Sequence, residues 1–188
     1  MMDILKEELM KGEKLLWCGA AENFETMDKT HKAAYIKRAI KIIGIVAALC
    51  IWYIVYAVSK GIELKPVLVA AAMGFAVLGS LSFYSNAKKL RNAYYAITDQ
   101  RIINIVGVPK SIELARIKEA QIKCDEDGHY SLLCGKKVVK SKSYTWRSFA
   151  LLDPYVDEDT GVCERFALYA IPDAESVKKI LKDYLPML

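Results

Sequence analysis

Two long apolar runs without a charged residue lie close together in the first half of this 188-residue chain. The runs are Ile42–Val58, with 17 residues, and Pro66–Tyr84, with 19 residues. A helix that spans the hydrocarbon of a bilayer needs about 20 mostly apolar residues, within a range of about 17–25. The lengths therefore predict a transmembrane helical hairpin over residues 36–87, with spans at about 40–58 and 66–84. The alternative is a helical hairpin buried inside a water-soluble fold.

The cations around these runs predict the orientation of the hairpin. The connecting segment SKGIELK is too short for more than a turn, so both ends of the hairpin lie on one side. This segment contains two cations, whereas the outer flanks contain eight: Lys29, Lys32, Lys37, Arg38, Lys41, Lys88, Lys89 and Arg91. Because the cytoplasmic flanks of membrane helices carry an excess of Lys and Arg, we predict a multi-pass protein of the plasma membrane with both termini in the cytoplasm.

The ionisable residues and the cysteines argue against several classes of function. Neither apolar run has a charge between its ends, whereas pumps and ion-coupled transporters bury such residues along their path, so the hairpin is interpreted as an anchor. The five cysteines include no CxxC pair, which favours free thiols over a zinc site. Cys124 and Cys134 lie in the apolar phase of predicted strands, and we expect both to be buried. No catalytic or nucleic-acid-reading motif is found, so we expect no enzyme activity, cofactor, metal or nucleic-acid partner.

Short runs of β-branched and aromatic residues follow the hairpin and predict an antiparallel sheet structure. The sequence YYAITDQRIINIV predicts two strands, Tyr94–Thr98 and Arg101–Val106, around a tight polar turn. In this turn, Asp99 is expected to accept a hydrogen bond from the backbone two residues on and to pair with Arg101. Residues 88–188 are therefore predicted to form a cytoplasmic domain.

The last part of the chain predicts further strands and one closing helix. Val138–Phe149 and Glu164–Ile171 are predicted as strands. In PDAESVKKILKDYL, Asp173 is a predicted N-cap, and apolar residues from Val177 to Leu185 fall at helical spacing on one face. A single amphipathic helix after a run of strands is expected to cover the open end of a sheet structure.

Several of these segments resemble the bacterial pleckstrin-homology-like (PH-like) domain family of membrane proteins. YAITDQRIINIVG looks like the signature hairpin of that family, FALYAIPDAESVKKILKDY resembles its last strand and helix, and KGEKLLWCG is similar to a motif that precedes its membrane spans. The chain departs from the pattern where two alanines follow that last motif instead of proline, and where DPYVDEDTGV forms an acidic insertion. The residues that match the motifs, with an implied structural role, are Gly12, Glu13, Trp17, Gly19, Thr98, Asp99 and Arg101.

The resemblance implies a membrane-anchored α+β protein, in which a two-helix hairpin is joined to a small PH-like β-barrel or sandwich closed by a C-terminal helix. Residues 1–35 are expected to form an N-terminal cytoplasmic segment with a short helix and a strand-like strap. The strap sequence LLW, at residues 15–17, is expected to dock on the cytoplasmic domain as an extra strand or as an apolar strap.

Clusters of cations near the apolar runs are candidates for contact with anionic lipid headgroups. In KKVVKSKSYTWR, two lysines would share one face of a strand with two aromatic residues; the alternative is a solvated strand edge that lysines protect from aggregation. The complete set of candidate headgroup contacts is Lys37, Arg38, Lys41, Lys88, Lys89, Arg91, Lys140, Lys142 and Trp146.

These features together predict a non-catalytic module that presents a protein-binding or lipid-contacting surface at the cytoplasmic membrane face. The expected partners are the lipid bilayer and either another protein or further copies of the chain. The alternative is an accessory subunit of a membrane enzyme or transporter, with the hairpin as its interface.

Overall fold

The structure is a computed structural model that describes residue 5 and residues 7–185. The predicted short N-terminal helix involves residues outside this part of the chain. The fold mixes helices and sheets and includes two long apolar helices. The helices are α1 (Lys29–Lys60), α2 (Pro66–Ser80), α3 (Ser82–Arg91), α4 (Lys136–Val139), α5 (Trp146–Leu151) and α6 (Ala174–Lys182). The strands are β1 (Leu15–Ala20), β2 (Tyr94–Thr98), β3 (Arg101–Val106), β4 (Val108–Glu113), β5 (Ala120–Cys124), β6 (Tyr130–Cys134), β7 (Tyr155–Val156) and β8 (Cys163–Leu168).

Helix α1 and the pair α2–α3 form the hairpin. The side chain of Asp28 caps α1 by accepting from the His31 N–H, and α1 ends at Gly61 in the left-handed conformation. Pro66 begins α2, where its missing N–H costs no helical hydrogen bond. Helix α1 and residues 66–91 are each long and apolar enough to cross a membrane, and little of either apolar stretch is buried by the rest of the chain. The predicted domain boundaries at residues 36 and 87 fall inside α1 and α3.

The strands form two open antiparallel sheets, in the orders β1-β2-β3-β4 and β5-β6-β8-β7. The prediction of a small antiparallel sheet structure with a closing helix is therefore confirmed in outline, but the barrel form of that prediction is wrong, because neither sheet closes on itself. Strand β1 pairs with β2. The hairpin is thus inserted between two neighbouring strands of one sheet, and we call the sheets with their covering helices the module.

The two sheets contribute alternate side chains to a common core. On β2, Tyr95 and Ile97 face this core, and on β8, Phe166 and Leu168 do so. Helix α6 covers the core with Val177, Leu181 and the following Leu185, as predicted, and the side chain of Asp173 caps the helix by accepting from the Ser176 N–H. Because β-strand side chains alternate between faces, the intervening residues reach other clusters.

A second core joins the module to the base of the hairpin. It includes Ala87 and Leu90 from α3, Trp146 and Ala150 from α5, and Tyr169, which directly follows β8. These residues are all nearly inaccessible to solvent. The C-terminal end of α3 is therefore packed into the module and is not a free linker.

The prediction of a strand over Val138–Phe149 is wrong. The chain forms α4, a 3-10 turn over Ser143–Thr145 and α5 in this region. Valines and alternating Lys and Ser residues imitate a strand pattern in this segment. The buried residues Trp146 and Ala150, however, are four positions apart, which is the spacing of one helix face.

Candidate functional site at the base of the hairpin

The candidate headgroup contacts occupy different environments. Lys37, Arg38 and Lys41 project from α1 near its apolar stretch, and Lys88 and Lys89 project from α3; all five are exposed. Arg91 is also exposed, but the segment between β1 and α1 holds its guanidinium. Its guanidinium donates to the Phe24 carbonyl at 2.8 Å and to the Thr26 hydroxyl at 2.7 Å.

Two of the predicted headgroup contacts, Lys140 and Lys142, lie in the connection between α4 and α5 and not on a strand. Both are exposed. Trp146 is only 4% exposed and belongs to the second core. It therefore presents no surface to a headgroup, and the expectation that it shares a strand face with the lysines is wrong.

A cleft of about 650 Å³ opens between the hairpin and the module, and we call it the basal cleft. Two of the predicted cations, Arg38 of α1 and Lys89 of α3, line its hairpin side. Lys110 of β4 lines the module side, where its ammonium lies 3.0 Å from a carboxylate oxygen of Asp153 and donates to the Leu151 carbonyl at 2.7 Å. Sequence reasoning did not identify Lys110, because nothing in VPKSIE indicates which helices the strand approaches.

The first turn of α1 is held in the module by a chain of polar groups, which we call the junction network: Asp28, Asp125, Asp127, Arg147 and Tyr169. All of them are buried except Asp127, which is half-buried. The guanidinium of Arg147 contacts the Asp28 carboxylate and donates to the Tyr169 hydroxyl at 3.1 Å. Tyr169 in turn donates to Asp125 at 2.7 Å. Arg147 also donates to the carbonyls of Thr26 and Glu25.

Aromatic packing encloses the Arg147 guanidinium. It lies over the Phe24 ring at 4.2 Å and over the Tyr169 ring at 4.9 Å. The Arg147 side chain is 3% exposed and that of Asp28 is 5% exposed. Burial raises the pKa of Tyr169, so its hydroxyl stays protonated and can donate at any physiological pH. Removal of either partner from such a buried pair would leave an uncompensated charge in the interior, which is costly.

The turn with the sequence DEDG, at residues 125–128, supplies a second cap to α1. The carboxylate of Asp127 accepts from the backbone N–H groups of Lys29 and Thr30, at 3.1 and 2.8 Å, and from the Thr30 hydroxyl at 2.6 Å. Burial would raise the pKa of Asp127, but these hydrogen bonds outweigh it and lower that pKa. Asp125 orders the turn by accepting from the backbone N–H groups of Asp127 and His129. A negative charge at a helix N-terminus is favourable, so this turn stabilises the attachment of α1.

Most of the motif residues from the PH-like resemblance meet at the β2–β3 turn. Arg101 donates to Glu13 at 2.9 Å, and the Thr98 hydroxyl donates to the same carboxylate at 2.7 Å. Burial would raise the pKa of Glu13, but hydrogen bonds from Arg101, the Met10 N–H and Thr98 lower it to about 2. Gly12 lies in the turn that precedes Glu13. These contacts fasten the N-terminal segment to the β2–β3 turn.

Asp99 has a different role from the predicted one. Its carboxylate accepts from the Lys14 N–H at 2.9 Å, and the turn is closed by the Thr98 hydroxyl, which accepts from the N–H groups of Gln100 and Arg101. The predicted pairing of Asp99 with Arg101 is replaced by the ion pair of Arg101 with Glu13. The sequence pattern could not reveal this partner, which is distant along the chain.

Trp17 and Gly19 of the same motif lie on β1. Trp17 packs against the common core. Gly19 is closely approached, because a Cβ at that position would lie 2.8 Å from Cγ of Pro172 and 2.9 Å from the Trp17 ring. These contacts give both residues a structural explanation within the module.

The described part of the chain contains no group of three or more His, Cys, Asp or Glu side chains that could hold a metal ion. Among the thiols, Cys134 and Cys163 are buried, and burial raises the pKa of both. Cys124 is exposed, contrary to expectation. Its side chain lies near the end of β5, where the sheet gives way to the DEDG turn.

Comparison of the chain with protein-family models, with curated proteins and with solved structures found no match.

Proposed function

We propose that this protein is a non-catalytic, membrane-anchored module of PH-like type that holds a binding surface against the cytoplasmic face of the plasma membrane. The observation that carries the proposal is the continuity of α1. Its first turn, with His31 and Thr30, is buried in the module, and the same helix continues through the exposed apolar stretch that ends near Val58.

The length of α1 supports a fixed spacing between module and bilayer. Its 32 residues correspond to about 48 Å of helix, whereas the hydrocarbon core is about 30 Å thick. Residues 29–41 therefore extend beyond the hydrocarbon as a stalk, with the module attached at their N-terminal end. The junction network and the second core connect this stalk and α3 to the sheets, so the module would keep one orientation towards the membrane surface.

The PH-like assignment is supported by the order of elements. Two antiparallel sheets share one core, and a single C-terminal helix covers it. The motif residues also make the structural contacts described above. The helical segment between β6 and β7 departs from a simple run of strands, and it supplies Arg147 and the α5 side of the basal cleft.

Cysteine accessibility in intact cells tests the anchor and its orientation. In a chain with Cys124 as its sole cysteine, a membrane-impermeant maleimide should label only after the membrane is opened. Glu63→Cys, placed in the exposed connecting loop of an otherwise cysteine-free chain, should label from outside without opening. Release of the full chain from membranes by carbonate wash without detergent would contradict the anchor, and the opposite labelling pattern would contradict the orientation.

A second candidate function is an accessory subunit that uses the hairpin as its interface. It is favoured by an apolar groove of about 520 Å³ between α1 and α2, lined by residues such as Val46, Tyr53 and Phe75. Purification of the full chain in a mild detergent distinguishes the two functions. A stoichiometric membrane-protein partner that is lost on Ala72→Leu, a substitution in the groove, would support the subunit function.

A further inference from the structure

We propose that the basal cleft binds the phosphodiester headgroup of an anionic membrane lipid, with Arg38, Lys89 and Lys110 as its cationic contacts. This inference rests on the proposed function, because it requires the hairpin to lie in a bilayer. It adds a specific site and a ligand class to that function.

The position of the cleft along the helices matches the depth of lipid headgroups. Arg38 lies four residues before Ile42, where the first apolar run begins, and Lys89 lies five residues after Tyr84, where the second ends. At a rise of 1.5 Å per residue, both cations lie about 6–8 Å beyond the apolar runs. The headgroup layer is about 5–8 Å thick on each side of the hydrocarbon. The two cations on the hairpin side are therefore at the level of the lipid phosphates.

The lining of the cleft is suited to an amphiphile. The cations share the cleft with apolar residues of the β3–β4 turn and of the segment after α5. Val108 is 70% exposed and Leu152 is 45% exposed, which is a large apolar exposure beside charged groups. A lipid would place its phosphate near the cations and its glycerol and upper acyl carbons near these side chains. A free phosphate ion would leave the apolar residues uncovered, so the lining favours a lipid.

One carboxylate also lines the cleft. The side chain of Asp153 is 85% exposed and pairs with Lys110, which is 17% exposed. Because the Asp153 carboxylate is largely exposed, solvent screens this pair and it contributes only about 0–1 kcal/mol, so a lipid phosphate can replace Asp153 as the partner of Lys110. Removal of the Asp153 charge should therefore strengthen lipid binding, which is the opposite of the effect expected for a structural ion pair.

Lipid titration of the full chain in an uncharged detergent, followed by native mass spectrometry, tests the site. Wild-type protein should retain phosphatidylglycerol more strongly than phosphatidylcholine. Because each cation near an anionic lipid contributes about a five-fold change in affinity, R38Q/K89Q should weaken phosphatidylglycerol binding by about 25-fold and leave phosphatidylcholine unchanged. Both residues are exposed, so their replacement should not disturb the fold. Asp153→Asn should strengthen phosphatidylglycerol binding by a few-fold.

The matched control is K179Q/K182Q, which removes the same charge from the exposed side of α6. Equal losses in this control and in R38Q/K89Q would overturn the site, because they would indicate a non-specific effect of net charge. Displacement of phosphatidylglycerol by inorganic phosphate at an equal concentration would overturn the assignment to lipid. A chain that stays in carbonate-washed membranes but binds phosphatidylglycerol equally well with and without the two cations would refute the site alone and leave the proposed function intact.

Discussion

Replacement of Arg147 by methionine tests whether the junction network holds the hairpin and the module together. Methionine keeps much of the apolar contact with the Phe24 ring but removes the guanidinium that contacts Asp28 and donates to Tyr169. The carbonyls of Glu25 and Thr26 also lose their hydrogen bonds from Arg147. Loss of one partner of a buried ion pair costs about 3–5 kcal/mol, since the remaining charge stays buried. We therefore expect Arg147→Met to lower the free energy of unfolding by about that amount.

The measurement is thermal unfolding of the full chain in detergent, followed by tryptophan fluorescence. For a chain of this size, a loss of 3–5 kcal/mol lowers the melting temperature by about 10 °C. Arg116→Met is the matched control, because its pair with Glu113 is exposed on both sides and should contribute at most about 1 kcal/mol. A melting temperature for Arg147→Met within about 2 °C of wild type would refute the role of the junction network.

A double-mutant cycle separates the ion pair from the other contacts of Arg147. Asp28→Asn combined with Arg147→Met removes both charges, so the double variant should be less destabilised than the sum of the two single variants. Additive losses would show that Asp28 and Arg147 act independently, contrary to the contact seen between them.

Three further predictions use the same purified protein. Gly135→Ala should lower the free energy of unfolding, measured by thermal unfolding, by about 3 kcal/mol. The reason is that Gly135 has a φ of +94° and an added Cβ would lie 2.4 Å from the carbonyl carbon of Glu164. A melting temperature equal to that of wild type would contradict this prediction. The folded-state pKa of Glu13 is about 2, below its ordinary 4.5, so its stabilisation is present above pH 4.5 and is lost as the pH falls towards 2. Acid titration should therefore show Glu13→Gln to be about 1–3 kcal/mol less stable than wild type at neutral pH. This difference in stability should shrink as the pH falls from 4.5 towards 2. A difference that stays constant with pH would count against the ion pair. Alkylation followed by peptide mass spectrometry should show exposed Cys124 reacting about 100-fold faster than buried Cys134 in the folded chain, and equal rates would contradict the packing of β6.

Local patterns were reliable where one element alone decided the outcome. The apolar runs predicted the hairpin helices because a charge-free run of this length is typical of one long helix. The cap at Asp173 and the apolar face from Val177 to Leu185 predicted α6 for the same local reason. The prediction of a strand from Val138 to Phe149 was wrong. The helical form of this segment depends on the burial of Trp146 against α3, which is distant along the chain.

The candidate site was predicted only in part. Arg38 and Lys89 could be identified because they flank the apolar runs, but Lys110 could not, since its position beside them depends on how β4 lies against the hairpin. Arg147 and Asp125 carried no sequence signal, because each is explained only by partners that are far away along the chain.

The amino-acid sequence by itself determined that the chain has two helices able to cross a membrane, a set of antiparallel strands and a closing helix, because hydrophobic length and periodicity act within each element. Only the tertiary structure decided the register in which β1 pairs with β2, that the sheets stay open, and that the first turn of α1 is held by Arg147 and Asp127. The physical reason is that strand pairing, buried ion pairs and clefts depend on contacts between residues distant in sequence. The energy of those contacts is set by packing and desolvation rather than by neighbours along the chain.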